Sequence, residues 1–135
     1  MIFHIAVCSP DPVLRGRVQR HCMEYYARRA DACIVEQLES TAALLQQEKA
    51  GSRYELYLIE LPATNPCCGL QAAAELRRRG VRVPLAFLAH TTAYAYEAFR
   101  VDAMQYLHIP FRPEQLTALL DRATEPEYGP VIPVT

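Results

Sequence analysis

The stretch YELYLIELPATNPCCG, Tyr54 to Gly69, is an apolar run that ends in a charge. Leu56, Tyr57, Leu58 and Ile59 follow one another without a polar interruption, as a strand buried on both faces requires. Then come Glu60, two prolines, an Asn, the pair Cys67-Cys68 and Gly69. A carboxylate at the mouth of a core strand is costly unless it is exposed, paired or bound to a metal. Which of the three applies to Glu60 sets the chemistry of the chain.

The elements around this stretch alternate. Upstream, Ile2 to Cys8 is β-rich and stops at Ser9-Pro10-Asp11-Pro12, a turn and helix-start cluster. Pro12 suits a first helical turn, and Leu14, Val18, Cys22 and Tyr25 place one apolar face on a helix running to about Arg28. Ala32 to Leu38 has strand character. Ser40 can cap a helix that carries Leu44 and Leu45 and stops at Gly51. Downstream, Leu70, Ala73, Ala74 and Leu76 mark a third helix ended by Gly80, and Val83 to Ala89 is a continuous apolar strand. Thr91 or Thr92 is expected to open a helix through Phe99. Ala103 to Leu107 is a short fifth strand, and Pro113 starts a helix to about Arg122. Alternation of this kind predicts an α/β fold, a doubly wound, flavodoxin-like five-stranded parallel sheet with a (βα)5 order. Sites in such sheets lie beyond the carboxyl ends of the strands. That singles out Cys8 to Asp11, Glu60 to Gly69, Ala89 to Thr92 and Leu107 to Pro110.

Composition narrows the function. A chain of 135 residues fits one domain, and a net charge of −1 gives no electrostatic footprint for nucleic acid. No apolar run is long enough to span a membrane and no basic leader precedes one, so a cytoplasmic protein is expected. The five cysteines include no Cys-x-x-Cys, and reduced thiols are expected. Cys8, Cys22 and Cys33 fall on apolar positions, whereas Cys67 and Cys68 are placed in a loop. The turn after the first strand contains no Gly, which excludes a dinucleotide or P-loop phosphate cradle. His4, His21, His90 and His108 are scattered without metal-ligand spacing. His90 and His108 fall at the site edge and are read as hydrogen-bonded surface residues. Nothing around Ser9 resembles a nucleophile elbow.

Three stretches carry a resemblance: IAVCSPDP (Ile5 to Pro12), YELYLIE (Tyr54 to Glu60) and AYEAFRVDAMQYLHIPF (Ala95 to Phe111). Residues 1–123 resemble the CheY-like receiver domain of bacterial two-component response regulators. The nearest subgroup in pattern is the LytTR (LytR/AlgR) type, with its Ala-Phe-x-x-x-Ala-x-x-Tyr-Leu-x-Lys-Pro-Phe signature. Such a receiver implies an Asp phosphoacceptor after the third strand, two carboxylates holding Mg²⁺, a Thr or Ser, and a Lys that neutralises developing charge. Position by position, this chain has Glu60 for the acceptor and Ser9-Pro10 for the acidic pair, with only Asp11 beside it. Ala89 takes the hydroxyl position, Ile109 the Lys position and Tyr106 that of the switch aromatic. The single lysine, Lys49, belongs to the second helix and cannot substitute.

The resemblance therefore implies a degenerate phosphorylation site. A Glu carries its oxygen a methylene further out than Asp, and a misplacement of about 1 Å costs on the order of a hundredfold in rate. The expectation is a non-enzymatic pseudo-receiver with no catalytic residue, no cofactor and doubtful Mg²⁺ binding. Glu60 is expected to be a solvated strand-end residue with no partner, with phosphomimicry as the alternative reading. Tyr106 is expected to pack at the face of the fourth helix. The family pattern also implies a cis Ile109-Pro110 bond. Tyr94, Tyr96, Phe99 and Val101 cannot all be buried by one helix, so a homodimer through the fourth helix, fifth strand and fifth helix is expected. Residues 124–135 are read as a linker and the start of a C-terminal LytTR-like DNA-binding domain, through which alone DNA would be bound. A sensor kinase or another regulator is the other implied partner. The competing expectations are a surviving phosphoacceptor using Glu60 or Asp11, and a stand-alone protein-interaction module.

Overall fold

Apolar strands that need cover on both faces and amphipathic helices between them leave one solution, a sheet sandwiched by helices. The computed structural model describes residues 2–124. The order is β1 (Ile2–Cys8), α1 (Pro12–Arg28), β2 (Ala32–Leu38), α2 (Thr41–Lys49), β3 (Leu56–Leu61), then α3 (Pro66–Arg78), β4 (Leu85–Ala89), α4 (Ala95–Arg100), β5 (Gln105–His108) and α5 (Pro113–Thr124). The five strands form one sheet in the order β2-β1-β3-β4-β5, and every neighbouring pair is parallel. This is the flavodoxin-like arrangement, with its switch in strand order between β1 and β3. The sequence expectation of five strands, five helices and their alternation holds throughout.

Strand alternation divides the core. Phe3, Ile5, Val7, Leu56, Leu58, Ala86, Leu88 and Leu107 face α1 and α5, where Val18, Cys22, Leu116, Leu119 and Leu120 close over them. Ala6, Cys8, Tyr57, Ile59, Leu61, Phe87 and Ala89 face the other side, against Leu44, Ala73, Leu76 and Ala98. The central strand β3 is buried at every position, Glu60 included.

Several boundaries shift for identifiable reasons. β4 starts at Leu85 rather than Val83. The Arg77 guanidinium takes the Val81 and Val83 carbonyls at 2.9 Å each, and Pro84 has no N–H to give to a ladder. The helix expected from Thr91 or Thr92 begins only at Ala95 and has six residues. Thr91 Oγ1 accepts from Ala93 N at 3.1 Å, closing a local turn instead of capping the helix. β5 starts at Gln105 because Asp102, at φ 57°, turns the chain just before it. Cys67 and Cys68 are not in a loop. Pro66 at the first helical position brings both into the first turn of α3. The Ile109-Pro110 bond is cis, as expected. Apart from Thr124, the last residue of α5, the segment read as linker and start of a further domain lies outside the described residues.

Candidate functional site

Alternation along the strands determines what meets at the carboxyl end of the sheet. Val7, Leu58, Leu88 and Leu107 all point to the α1–α5 side. Two residues further along each strand, the same side is reached by Ser9, Glu60, His90 and Ile109. Cys8 pairs with Ile59, so Ser9 emerges directly beside Glu60. Glu60 pairs with Leu88, so His90 emerges one step beyond it.

Glu60 is only 5% exposed, and its two oxygens have separate partners. The Ser9 hydroxyl donates to Oε1, and His90 Nε2 lies 3.2 Å from Oε2, donating in the tautomer that carries its proton there. The expectation of a solvated Glu60 without a partner is thus overturned. It assumed that only the Thr and Lys positions could contact the carboxylate, and those are apolar here; the partners come instead from β1 and from the residue after Ala89. Ser9 is buried, and its oxygen also accepts from Asp11 N at 3.0 Å. The His90 side chain is 48% exposed and sits over the carboxylate from the solvent side. This places His90, read as a hydrogen-bonded surface residue, in a specific pair.

The remaining site positions are occupied by other tasks. Asp11 accepts from Val13 N at 2.9 Å and caps α1, so its carboxylate belongs to the helix rather than to Glu60. Pro10 is exposed and offers no ligand oxygen from its side chain. Arg15 donates from Nη1 to the Ser9 carbonyl at 2.6 Å and from Nε to Gln37 Oε1 at 3.1 Å, fixing the turn between β1 and α1. Ala89 is buried. Ile109 donates its backbone N–H to the Ala89 carbonyl at 2.7 Å and packs its side chain on the α1–α5 cluster. Tyr106 is half-buried against the Ala98 and Ala103 cluster and donates its hydroxyl to the Thr91 carbonyl, so it packs at the α4 face as expected. Burial raises its pKa.

Would the residues present hold the Mg²⁺ that a receiver site implies? That ion takes near-octahedral oxygen geometry through carboxylates and waters. Here one carboxylate is shared between a hydroxyl and an imidazole, the other caps a helix, and Pro10 stands between them. The set does not fit the ion. Among the described residues no group of three or more His, Cys, Asp or Glu side chains gathers as a metal site. The Ser, Glu and His also fail as a nucleophilic triad, because the carboxylate, not the imidazole, is the central member.

Close packing supports this end of the sheet from the other side. Gly69 of α3 sits where a Cβ would meet Leu61 Cδ2 at 2.6 Å, the Glu60 carbonyl at 3.1 Å and Ile59 Cγ2 at 3.3 Å. Cys8, beneath the site, has its pKa pushed up to about 12 by burial first and then by the neighbouring Cys68. It is an inert core thiol.

No family model matches the chain, and no curated protein matches it by sequence. Its fold has close structural counterparts among response regulators and their receiver domains. Response regulator DrrB of Thermotoga maritima, an OmpR/PhoB homolog, superposes with a TM-score of 0.76 at 18% identity, covering 94% of this chain and 54% of DrrB. The chain thus spans about half of DrrB's length. Chemotaxis response regulator CheY4 of Vibrio cholerae gives a TM-score of 0.74 at 18% identity over 91% of this chain and 99% of its own. TrrA of Thermotoga maritima, solved in complex with Mg²⁺-BeF, gives 0.69 at 18% identity over 90% and 98%. The fold is the CheY-like receiver fold. Among the described residues no helix is long and apolar enough to cross a membrane.

Proposed function

We propose that this chain is a non-catalytic pseudo-receiver of a two-component-type transcriptional response regulator of the LytTR kind. One observation carries the reading: both oxygens of the carboxylate at the acceptor position are engaged within the chain, by Ser9 and His90. An in-line attack on a phosphoryl donor needs a free carboxylate oxygen, a metal and groups to neutralise charge. Ala89 and Ile109 supply no such groups. A ligand shifts an equilibrium only through its differential affinity for two states, so a receiver without phosphoryl chemistry is set by concentration, partners or sequence.

Regulation then runs through contact. Tyr96 and Phe99 on α4 are 69% and 61% exposed, too apolar for a face left to water. In this reading they form the centre of a homodimer through α4, β5 and α5, which brings attached DNA-binding domains together. A sensor kinase or other regulator is the alternative occupant of that face, and the protein is cytoplasmic. The competing phosphoacceptor reading would need Glu60 to leave Ser9 and His90, or Asp11 to abandon the α1 cap.

Incubation with acetyl phosphate and Mg²⁺, followed by intact mass measurement, tests the proposal. The expected result is no added phosphate. A stable gain of one phosphate at Glu60 or Asp11 overturns it. For the full reading frame, DNA affinity should be identical with and without the donor, and should fall with added salt.

A further inference from the structure

The two edges of the sheet are β5 and β2. α1 covers one face of β2, but α2 is nine residues long, stops at Lys49 and leaves the amino-terminal half of the other face open. Ile2, His4 and Glu36 line the groove left there, and Ile34 is 51% exposed on the same face. The edge itself is seven residues long, without proline or lysine, and Glu36 is its only charge. Natural edges are usually blunted by one of these devices. The Leu38 carbonyl accepts from Ser9 N on the β1 side, so by alternation Cys33, Val35 and Gln37 turn their N–H and C=O groups outward. Among the described residues no backbone hydrogen bond reaches the outward groups of Cys33 or Val35.

We propose that this edge pairs with β2 of a second copy of the chain, antiparallel about Ile34, to make one continuous sheet. Strand overlap and the avoidance of like charges select the register. With Ile34 opposite its own twin, Cys33 bonds Val35 of the second copy, Glu36 lies opposite Ala32 and Asp31 opposite Gln37. Centring on Val35 would set Asp31 against Glu39 and Ile34 against Glu36, centring on Glu36 would set the two Glu36 carboxylates against each other, and centring on Cys33 would overlap only Ala32 to Ile34. The strand is therefore self-complementary in one register, the requirement of a two-fold interface. In that register the outward Cys33 and Val35 pairs supply four hydrogen bonds, and the two Ile34 side chains cover each other beside the two Ile2 side chains.

This face lies at the opposite end of the sheet from α4 and β5, so it adds to the proposed dimer instead of competing with it. Two separate two-fold faces link copies into rows. In sedimentation velocity at tens of micromolar, the wild-type chain should show species larger than a dimer. Ile34→Lys should remove them and weaken edge association by more than about tenfold, leaving the α4 dimer. Phe99→Asp should leave the β2 dimer, and the double variant should be monomeric. If the α4 reading alone fails, Ile34→Lys by itself gives a monomer and Phe99→Asp changes nothing. Ile34→Cys in a Cys33→Ala background should form a disulfide-linked dimer on mild oxidation, since residues facing each other in a non-hydrogen-bonded pair are close. A larger species or dimer unaffected by Ile34→Lys, together with no cross-link, overturns the proposal. So does a monomeric wild-type chain whose edge takes up only a foreign extended peptide.

Discussion

The carboxyl end of the sheet and the α4 face spend their side chains in opposite ways. At the sheet end, a carboxylate is buried and divided between Ser9 and His90. On α4, six residues long, large aromatic groups that would be buried in a core are left in solvent. The first region has satisfied its polar groups internally, which under the proposed function leaves nothing to offer a phosphoryl donor. The second has apolar surface left over. The difference teaches that this fold closes its polar groups on one another at the strand ends and leaves apolar surface on α4, and under the proposed function it is that surface which carries the response.

If that contrast is right, the largest loss of stability should come from the inward-turned region. Glu60→Ala removes the acceptor of a buried hydroxyl and should cost about 2–3 kcal/mol in chemical denaturation. Glu60→Gln keeps an oxygen for Ser9 and should cost less. An unchanged midpoint for the alanine variant would mean that Glu60 is solvated after all. Gly69→Ala comes next. Its new methyl meets Leu61, which is buried and cannot swing aside, and the Glu60 carbonyl. Overpacking of this kind costs about 1–3 kcal/mol, offset by roughly 1 kcal/mol of gained helix propensity, so a net loss of about 1 kcal/mol is expected. A stabilised variant would show that α3 can retreat from β3.

A smaller effect belongs to His90→Ala, because the imidazole is half in water. Less than about 1 kcal/mol should be lost, and the acetyl phosphate test should stay negative if Ala89 and Ile109 are sufficient to prevent chemistry. Away from both regions, His21 gives a control on pH. Burial is the first cause holding its pKa below the ordinary value, with Arg28 adding to it and Glu24 opposing, while Nε2 meets Thr117 Oγ1 at 2.9 Å. A lowered folded pKa means that the fold prefers the neutral ring. Its contribution is complete above the unfolded value of about 6.5 and is lost as pH falls through the folded one. His21→Gln should therefore flatten the acid limb of the stability profile, and an identical limb would exclude His21 as a source. Smallest of all, Phe99→Ser should change stability by less than about 0.5 kcal/mol while reducing association, which separates a contact surface from a structural one.

Much of this was legible in the chain itself. Uninterrupted apolar strands, Pro at helix starts, Ser40 before α2 and Gly80 after α3 are local signals, and they act within a few residues. Glu60 was placed correctly at the end of β3 for the same reason. Its environment was not, because Ser9 and His90 stand 51 and 30 residues away and meet it only through strand register. The usable signal was parity: Val7 and Ser9, Leu58 and Glu60, Leu88 and His90 each lie two apart on one face.

By itself, then, the sequence determined the order of elements, the parallel sheet and which residue types stand at the strand ends, since each follows from periodicity or residue identity. Tertiary structure decided that Glu60 is held rather than hydrated, that Asp11 serves α1, that Cys67 and Cys68 open a helix, and that Ile34 on the edge strand β2 stays exposed. Those outcomes depend on which strands lie side by side and how long each covering helix is, and no single segment contains that information. A hydrogen bond between side chains remote in sequence exists only when the whole sheet has aligned them.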